Sequence, residues 1–254
     1  MLRIVVGVAL LAVALLGCGS EEKKAEETSQ SLPKLTELVV IDDVVGEGEE
    51  AAEGDMVYML YRGTLADGTE FDSNLGADQN PFNFPLGRGQ VVKGWDQGIV
   101  GMRVGGKRTL KIPAELGYGA QDMGKIKPNS DLYFTIEMIG LVKPGDNNAF
   151  TRRDLKEGTG KAAEKGKKLK VHYRAKLLNG KVFDDSYERG EPIEFVLSED
   201  EVAVPAWLAG LPGLREGGIR EITANPGVAY GMYAPAEIPP NSVVVFEVEL
   251  IKVD

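Results

Sequence analysis

Tyr61, Phe71, Asp72, Phe84, Trp95, Tyr118 and Phe134 recur later in the chain as Tyr173, Phe183, Asp184, Phe195, Trp207, Tyr230 and Phe246. Six of the seven pairs stand 112 residues apart, and Phe84/Phe195 stands 111 apart. Only 7% of the residues are aromatic, so chance does not produce this match. The chain is a duplicated domain of roughly 100–110 residues. Rings with one acid make no nucleophile triad, metal cluster or phosphate cradle. What they can make is an apolar pocket, with an acid of the kind that, once satisfied, often lines a site. Taken singly, a buried Trp or Phe is core. The set carries the argument, above all Asp72 directly after Phe71. An acid beside an aromatic at a strand end needs a partner, and the Tyr61 hydroxyl and Arg88 are the candidates. Tyr118 lies between glycines in a turn, where packing alone does not need its hydroxyl.

The elements that must position these residues are mostly strands. Val39-Val40-Ile41 and Met56 to Tyr61 read as strands, and Ala66-Asp67-Gly68-Thr69 as a hairpin turn. Lys107 to Ile112 alternates polar and apolar residues, as a half-buried strand does. Leu132 to Ile139 is rich in β-branched and aromatic residues. Val91 to Val100 is the one helical stretch of the first copy, with Val92, Trp95, Ile99 and Val100 facing the core. Pro144-Gly145-Asp146-Asn147-Asn148 breaks the chain. In the second copy Leu169 to Leu178 leads into Asn179-Gly180, a strong hairpin signal. Pro192 to Leu197 repeats the 81–86 segment, Val204 to Leu214 is the helical stretch, and Val243 to Ile251 is the last strand. Each copy is therefore α+β: an antiparallel sheet with one short helix on a face. The basic run Lys161 to Lys170 is a solvated turn before a strand, and His172 a sheet residue, not a base.

The 254 residues accommodate two such domains, and the 43% hydrophobic content is that of a globular protein. A net charge of −10 argues against a nucleic-acid partner. The N-terminus belongs to neither copy. Arg3 precedes an apolar run from Ile4 to Leu16, too short for a permanent span and suited to an export signal. Leu15-Leu16-Gly17-Cys18 closes it, around the only cysteine of the chain. The segment resembles a bacterial lipoprotein signal, which implies removal of 1–17 and lipidation of Cys18. Gly19 and Ser20 after the anchor resemble the outer-membrane destination, facing the periplasm. Residues 18–33 are charged and lack aromatics, the composition of a disordered tether. The expected folded units are 34–143 and 150–254, joined by a linker at 144–149.

Tyr61-Arg-Gly-Thr-Leu-Ala-Asp-Gly-Thr-Glu-Phe71-Asp72-Ser73, Phe82-Asn-Phe84-Pro-Leu-Gly, Val91-Val92-Lys-Gly-Trp95 and Tyr118-Gly119 closely resemble the FKBP family. These are the macrolide-binding peptidyl-prolyl cis/trans isomerases. The likeness spans nearly all of 39–142. It returns over about 152–254 through Val182-Phe183-Asp184-Asp185-Ser186, Trp207, Ala229-Tyr230-Gly231 and Val245-Phe246. It implies a five- to six-stranded antiparallel sheet wrapped round a short helix, with an apolar pocket between them. By the same resemblance Trp95 is the pocket floor and Tyr61, Phe71, Phe82, Val91, Val92 and Phe134 are its walls. Asp72 and Tyr118 stand at the mouth, and the Ile126 position offers a backbone N–H to a ligand carbonyl. The matching second pocket has Tyr173, Phe183, Asp184, Ile193, Val204, Trp207, Tyr230, Ile238 and Phe246. The implied function is isomerisation of X-Pro bonds in exported or envelope proteins by a monomer, with no cofactor or metal and with macrolides as inhibitors. The alternative is a tandem peptide-binding chaperone or adaptor with little turnover, above all in the second copy.

Such chemistry suits these residues. Amide resonance sets a rotation barrier of about 18–20 kcal/mol, and for X-Pro bonds isomerisation takes tens to hundreds of seconds. No bond to the substrate must be made, only the twisted amide favoured, and a dry aromatic cup favours it because that amide is less polar. The copies differ. Lys125 and Lys127 make the first rim basic. Ile193 replaces Phe82, and Pro205-Ala206 replaces Lys93-Gly94, so the second pocket is expected to have a smaller wall and a proline-restricted tryptophan segment. The first copy is the expected better isomerase.

Overall fold

A computed structural model describes residues 33–76, 78–202 and 204–254. The expected signal, Cys18 and the tether up to residue 32 lie outside them. In the first half β1 (Val39–Val44), β2 (Met56–Thr64), β3 (Glu70–Ser73), β4 (Phe82–Pro85), β5 (Lys107–Ile112) and β6 (Leu132–Val142) form one antiparallel sheet. Its order is β1-β5-β6-β2-β3, and β4 pairs with the other end of β2. The second half repeats it with β7 (Phe150–Lys156), β8 (Lys168–Leu177), β9 (Val182–Asp185), β10 (Ile193–Val196), β11 (Ile219–Ala224) and β12 (Val244–Val253). One short helix covers each sheet, α1 (Lys93–Gly98) and α2 (Pro205–Gly210). Both halves are thus six-stranded sheets wrapped round a single helix. The hairpin turns at 66–69 and 179–180 place Gly68 and Gly180 at positive φ, where a side chain would be strained.

The helices lie close on the sheets because their contact residues are small. A Cβ at Gly94 would fall 2.5 Å from Ile112, and one at Gly98 2.7 Å from Leu110. In the second half the residue at the Gly94 position is Ala206, and the residue at the Ile112 position shrinks to Ala224. The exchange of volumes keeps the helix at the same depth. Pro205 occupies the first turn of α2, where its missing N–H loses nothing. It therefore does not move the tryptophan: Trp207 meets Tyr173 at 5.2 Å, the separation of Trp95 from Tyr61. One sequence expectation is corrected here. Val100 does not face the core but is 42% exposed, because α1 ends at Gly98 and the chain has turned outward.

The halves pack against each other. Tyr58, Val142 and Val243 form a buried apolar cluster with Met56, Ile139 and Leu178 around it. Leu178 seats on Gly140, where a Cβ would lie 2.6 Å from its Cδ1. The Tyr58 hydroxyl donates to Asn241 O at 2.7 Å, and Lys181 Nζ donates to Asp78 O and Asn80 Oδ1 at 2.8 and 2.9 Å. Asn225 Nδ2 donates to Asp146 O at 2.7 Å and so ties the break at 144–148 to the second half.

Candidate functional site

In the first half a cavity of about 240 Å³ opens between the sheet and α1. Trp95, presented by α1 and only 4% exposed, has its neighbours set edge-on: Tyr61 of β2 at 5.2 Å and Phe134 of β6 at 5.1 Å. Phe82 of β4 approaches at 6.1 Å. Phe71 of β3, Val91 and Val92 before the helix, and Tyr118 in the turn after β5 complete the lining with Asp72. Gln90 also lines the cavity and was not singled out from sequence, because a polar residue beside a glycine carries no pattern. Gly63 lets the rings close. It pairs with Asp72 on one side and Phe134 on the other, and a Cβ there would fall 2.6 Å from Phe71 and 2.8 Å from Phe134.

The mouth is held by a short polar relay. The Tyr61 hydroxyl donates to Asp72 Oδ2 at 2.6 Å, and the Ser73 N–H donates to Oδ1 at 2.9 Å. Arg88 makes no bond to Asp72 among the described residues. Burial, and then the bond to Asp72, push the Tyr61 hydroxyl well above its ordinary range, so it stays a donor. The basic rim is partly neutralised, since Lys127 Nζ lies 3.4 Å from Asp122. Ile126 is not a lining residue: its side chain is 6% exposed and packs in the core. Its backbone N–H has no partner among the described residues. Among the described residues both tryptophan indole N–H groups are buried without a hydrogen-bond partner in the protein.

The second cavity is larger, about 350 Å³. It brings together Tyr173, Asp184, Ile193, Val204, Trp207, Tyr230 and Phe246, and adds Phe195, Val202, Glu194 and Glu201. Two of the expected residues, Ile238 and Phe183, are not among those that line it. Ile238 is 3% exposed, packs in the core, and its N–H donates to Pro235 O at 3.1 Å. Phe183 does not line the cavity but sets its edge against Tyr230 at 6.2 Å, whereas Phe71 meets Phe134 at 5.5 Å. The cause is the residue at the Gly63 position, Ala175, which is fully buried and pairs with Phe246 and Asp184. A Cβ at Gly63 would fall 2.6 Å from Phe71, so the Ala175 methyl leaves no room for a ring in the corresponding place.

The second mouth also carries a cation. Tyr173 donates to Asp184 Oδ2 as Tyr61 does to Asp72, but the Arg189 guanidinium donates to Asp184 Oδ1 and, at 3.0 Å, to the Tyr173 hydroxyl. It stacks 5.5 Å over the Tyr173 ring. Tyr230 is pushed up to about 12, by burial first and then by Tyr173 and Asp184. His172 takes no part. Its Nδ1 lies 2.9 Å from Ser186 Oγ and its ring stacks on Tyr187 at 4.3 Å.

A tandem, helix-wrapped sheet with a tryptophan-floored cup in each copy defines the class. The model of the FKBP-type peptidyl-prolyl cis-trans isomerase family matches residues 47–139 and 159–251. The chain belongs to that family. It is 34% identical over 203 residues to the human peptidyl-prolyl cis-trans isomerase FKBP9, covering 78% of this chain and 35% of that protein. FK506-binding protein 4 of Neurospora crassa is 46% identical over 124 residues, covering 48% of this chain and 26% of that protein. The crystal structure of FkpA from Escherichia coli matches at 37% identity, with a TM-score of 0.39, over 42% of this chain and 48% of that one. The chain spans about a third of the length of the first of these relatives.

Proposed function

We propose that this protein is a peptidyl-prolyl cis/trans isomerase that speeds folding of exported or envelope proteins. The observation that carries this reading is the aromatic cup of Trp95, Tyr61, Phe71 and Phe134 with the Tyr61–Asp72 pair beside it, in a chain of this family. The cup takes the proline ring and, with Phe82, Val91 and Val92, keeps water from the amide. The barrier then falls because the twisted amide, less polar than the planar one, loses less on leaving water. Asp72 and Tyr118 hold the flanking polar groups. The unpartnered Ile126 N–H stands ready for a carbonyl of the client.

The second half works as the weaker site or as a peptide holder. Three observations favour this: Ile238 has already used its N–H, Phe183 has left the wall, and Arg189 occupies the acid at the mouth. The folded units run over 34–143 and 150–254, and the protein acts as a monomer. Lipid on Cys18, after loss of residues 1–17, holds it to the outer membrane facing the periplasm. Titration with a macrolide tests the cups: quenched tryptophan fluorescence together with blocked X-Pro turnover supports the reading, and an unresponsive protein overturns it. Cys18→Ser, if the lipid reading holds, moves the protein from the membrane fraction to the soluble one.

A further inference from the structure

The first cup continues sideways into a second groove of about 430 Å³. Tyr61, Asp72 and Phe82 line both spaces, so one leads into the other across the mouth. The groove is not made by the first half alone, because Pro239, from the loop before β12, lines it as well. The contact that brings Pro239 there is bonded in place. Asn83 Nδ2 donates to Pro240 O at 3.2 Å, and the Tyr58 hydroxyl donates to Asn241 O at 2.7 Å. The loop on the other side is clamped by the second half too. Asn179 Nδ2 donates to Gln79 O at 3.0 Å, beside the Lys181 bonds to Asp78 and Asn80.

Apart from Asp72 the lining carries no charge, and it includes the amides of Asn74, Gln79, Asn80 and Asn83. Among the described residues the Gln79 side-chain amide, Asn80 Nδ2 and Asn83 Oδ1 make no hydrogen bond within the protein. They leave both donors and acceptors in the lining of the groove, the pattern that suits an extended backbone with one N–H and one C=O per residue.

We propose that this groove holds the extended backbone of the client on one flank of the proline seated in the first cup. The second half then contributes directly to binding at the first, through Pro239 and through the loop it clamps. The proposal rests on the reading of the cup as an X-Pro site.

Each cup carries one of the chain's two tryptophans, so their indole N–H signals in NMR report the two sites separately. The full chain is titrated with a short X-Pro peptide and with the same peptide extended on either flank by about four residues, roughly 13 Å of extended chain. At the Trp95 signal one extension should bind about tenfold tighter than the short peptide, the gain given by one or two net hydrogen bonds. Pro239→Trp, which fills the groove, should bring that ratio back to one. Gln79→Ala, whose side chain makes no bond among the described residues, should lower it and serves where Pro239→Trp does not fold. Equal affinity for all three peptides, or a gain that survives both variants, overturns the proposal. Absence of turnover alongside a variant-sensitive gain overturns the isomerase reading and leaves the groove standing.

Discussion

Gly63→Ala should convert the first cup into a copy of the second. The new methyl falls 2.6 Å from two atoms of the Phe71 ring and 2.8 Å from Phe134, well inside contact distance. Phe134 is 6% exposed and pinned against Trp95, so Phe71, the more exposed ring, gives way. It should swing toward Tyr118, as Phe183 does toward Tyr230 beside Ala175. Overpacking of this kind costs about 1–3 kcal/mol. Replacing a strand glycine returns about 0.5–1 kcal/mol. The net loss of about 0–2.5 kcal/mol lowers the melting point of a domain this size by up to roughly 20 °C. Function should suffer as well. Losing Phe71 as a wall removes about 1–1.5 kcal/mol of ligand contact, close to tenfold in kcat/KM. The assay is X-Pro isomerisation by the full chain beside calorimetric melting, and the converse variant Ala175→Gly should tighten the second cup. A Gly63→Ala protein with kcat/KM within twofold of the parent, and with Phe71 still against Phe134, would refute the packing argument.

Three further outcomes follow from the same geometry. Arg189→Ala should free Asp184 and raise turnover in an Asp72→Leu background, where the first site is silent; unchanged turnover there would mean that Arg189 does not limit the second site. Tyr58→Phe removes the hydroxyl bond to Asn241, and melting should show a loss of about 1 kcal/mol with the two halves unfolding less cooperatively. Stability should fall in alkali. Tyr61, Tyr173 and Tyr230 are raised above the ordinary 10.0, so the unfolded chain loses protons first, and the contribution is intact below that pH. The loss sets in above about pH 10 and grows as pH rises toward the folded values. A melting point unchanged between pH 9 and pH 11 would contradict it.

The fold was readable because the repeat aligned two noisy patterns into one. Alternation marked β5, and glycine turns marked the hairpins at Gly68 and Gly180. The short strands β4 and β10 were not readable, since four residues hold too little periodicity. The rings of the first cup other than Phe82 recur with an acid at fixed spacing, which is why they stood out; Phe82 was named only through the family resemblance. What escaped was the consequence of single methyl groups. Gly63 against Ala175 decides where Phe71 and Phe183 go, yet both residues fit a strand equally well. Arg189 sits five residues past Asp184 across a turn, where sequence does not say which way a long side chain folds back. The contact between the halves joins Lys181 to residues about a hundred positions earlier, beyond any local pattern.

The most direct test of the account is the rate of cis/trans exchange of an X-Pro peptide, measured by exchange NMR with the full chain and with Asp72→Leu. The account predicts catalysed exchange that falls by at least about tenfold in the variant, the residual rate coming from the second half. Exchange no faster than in the free peptide, or catalysis indifferent to Asp72, would contradict it.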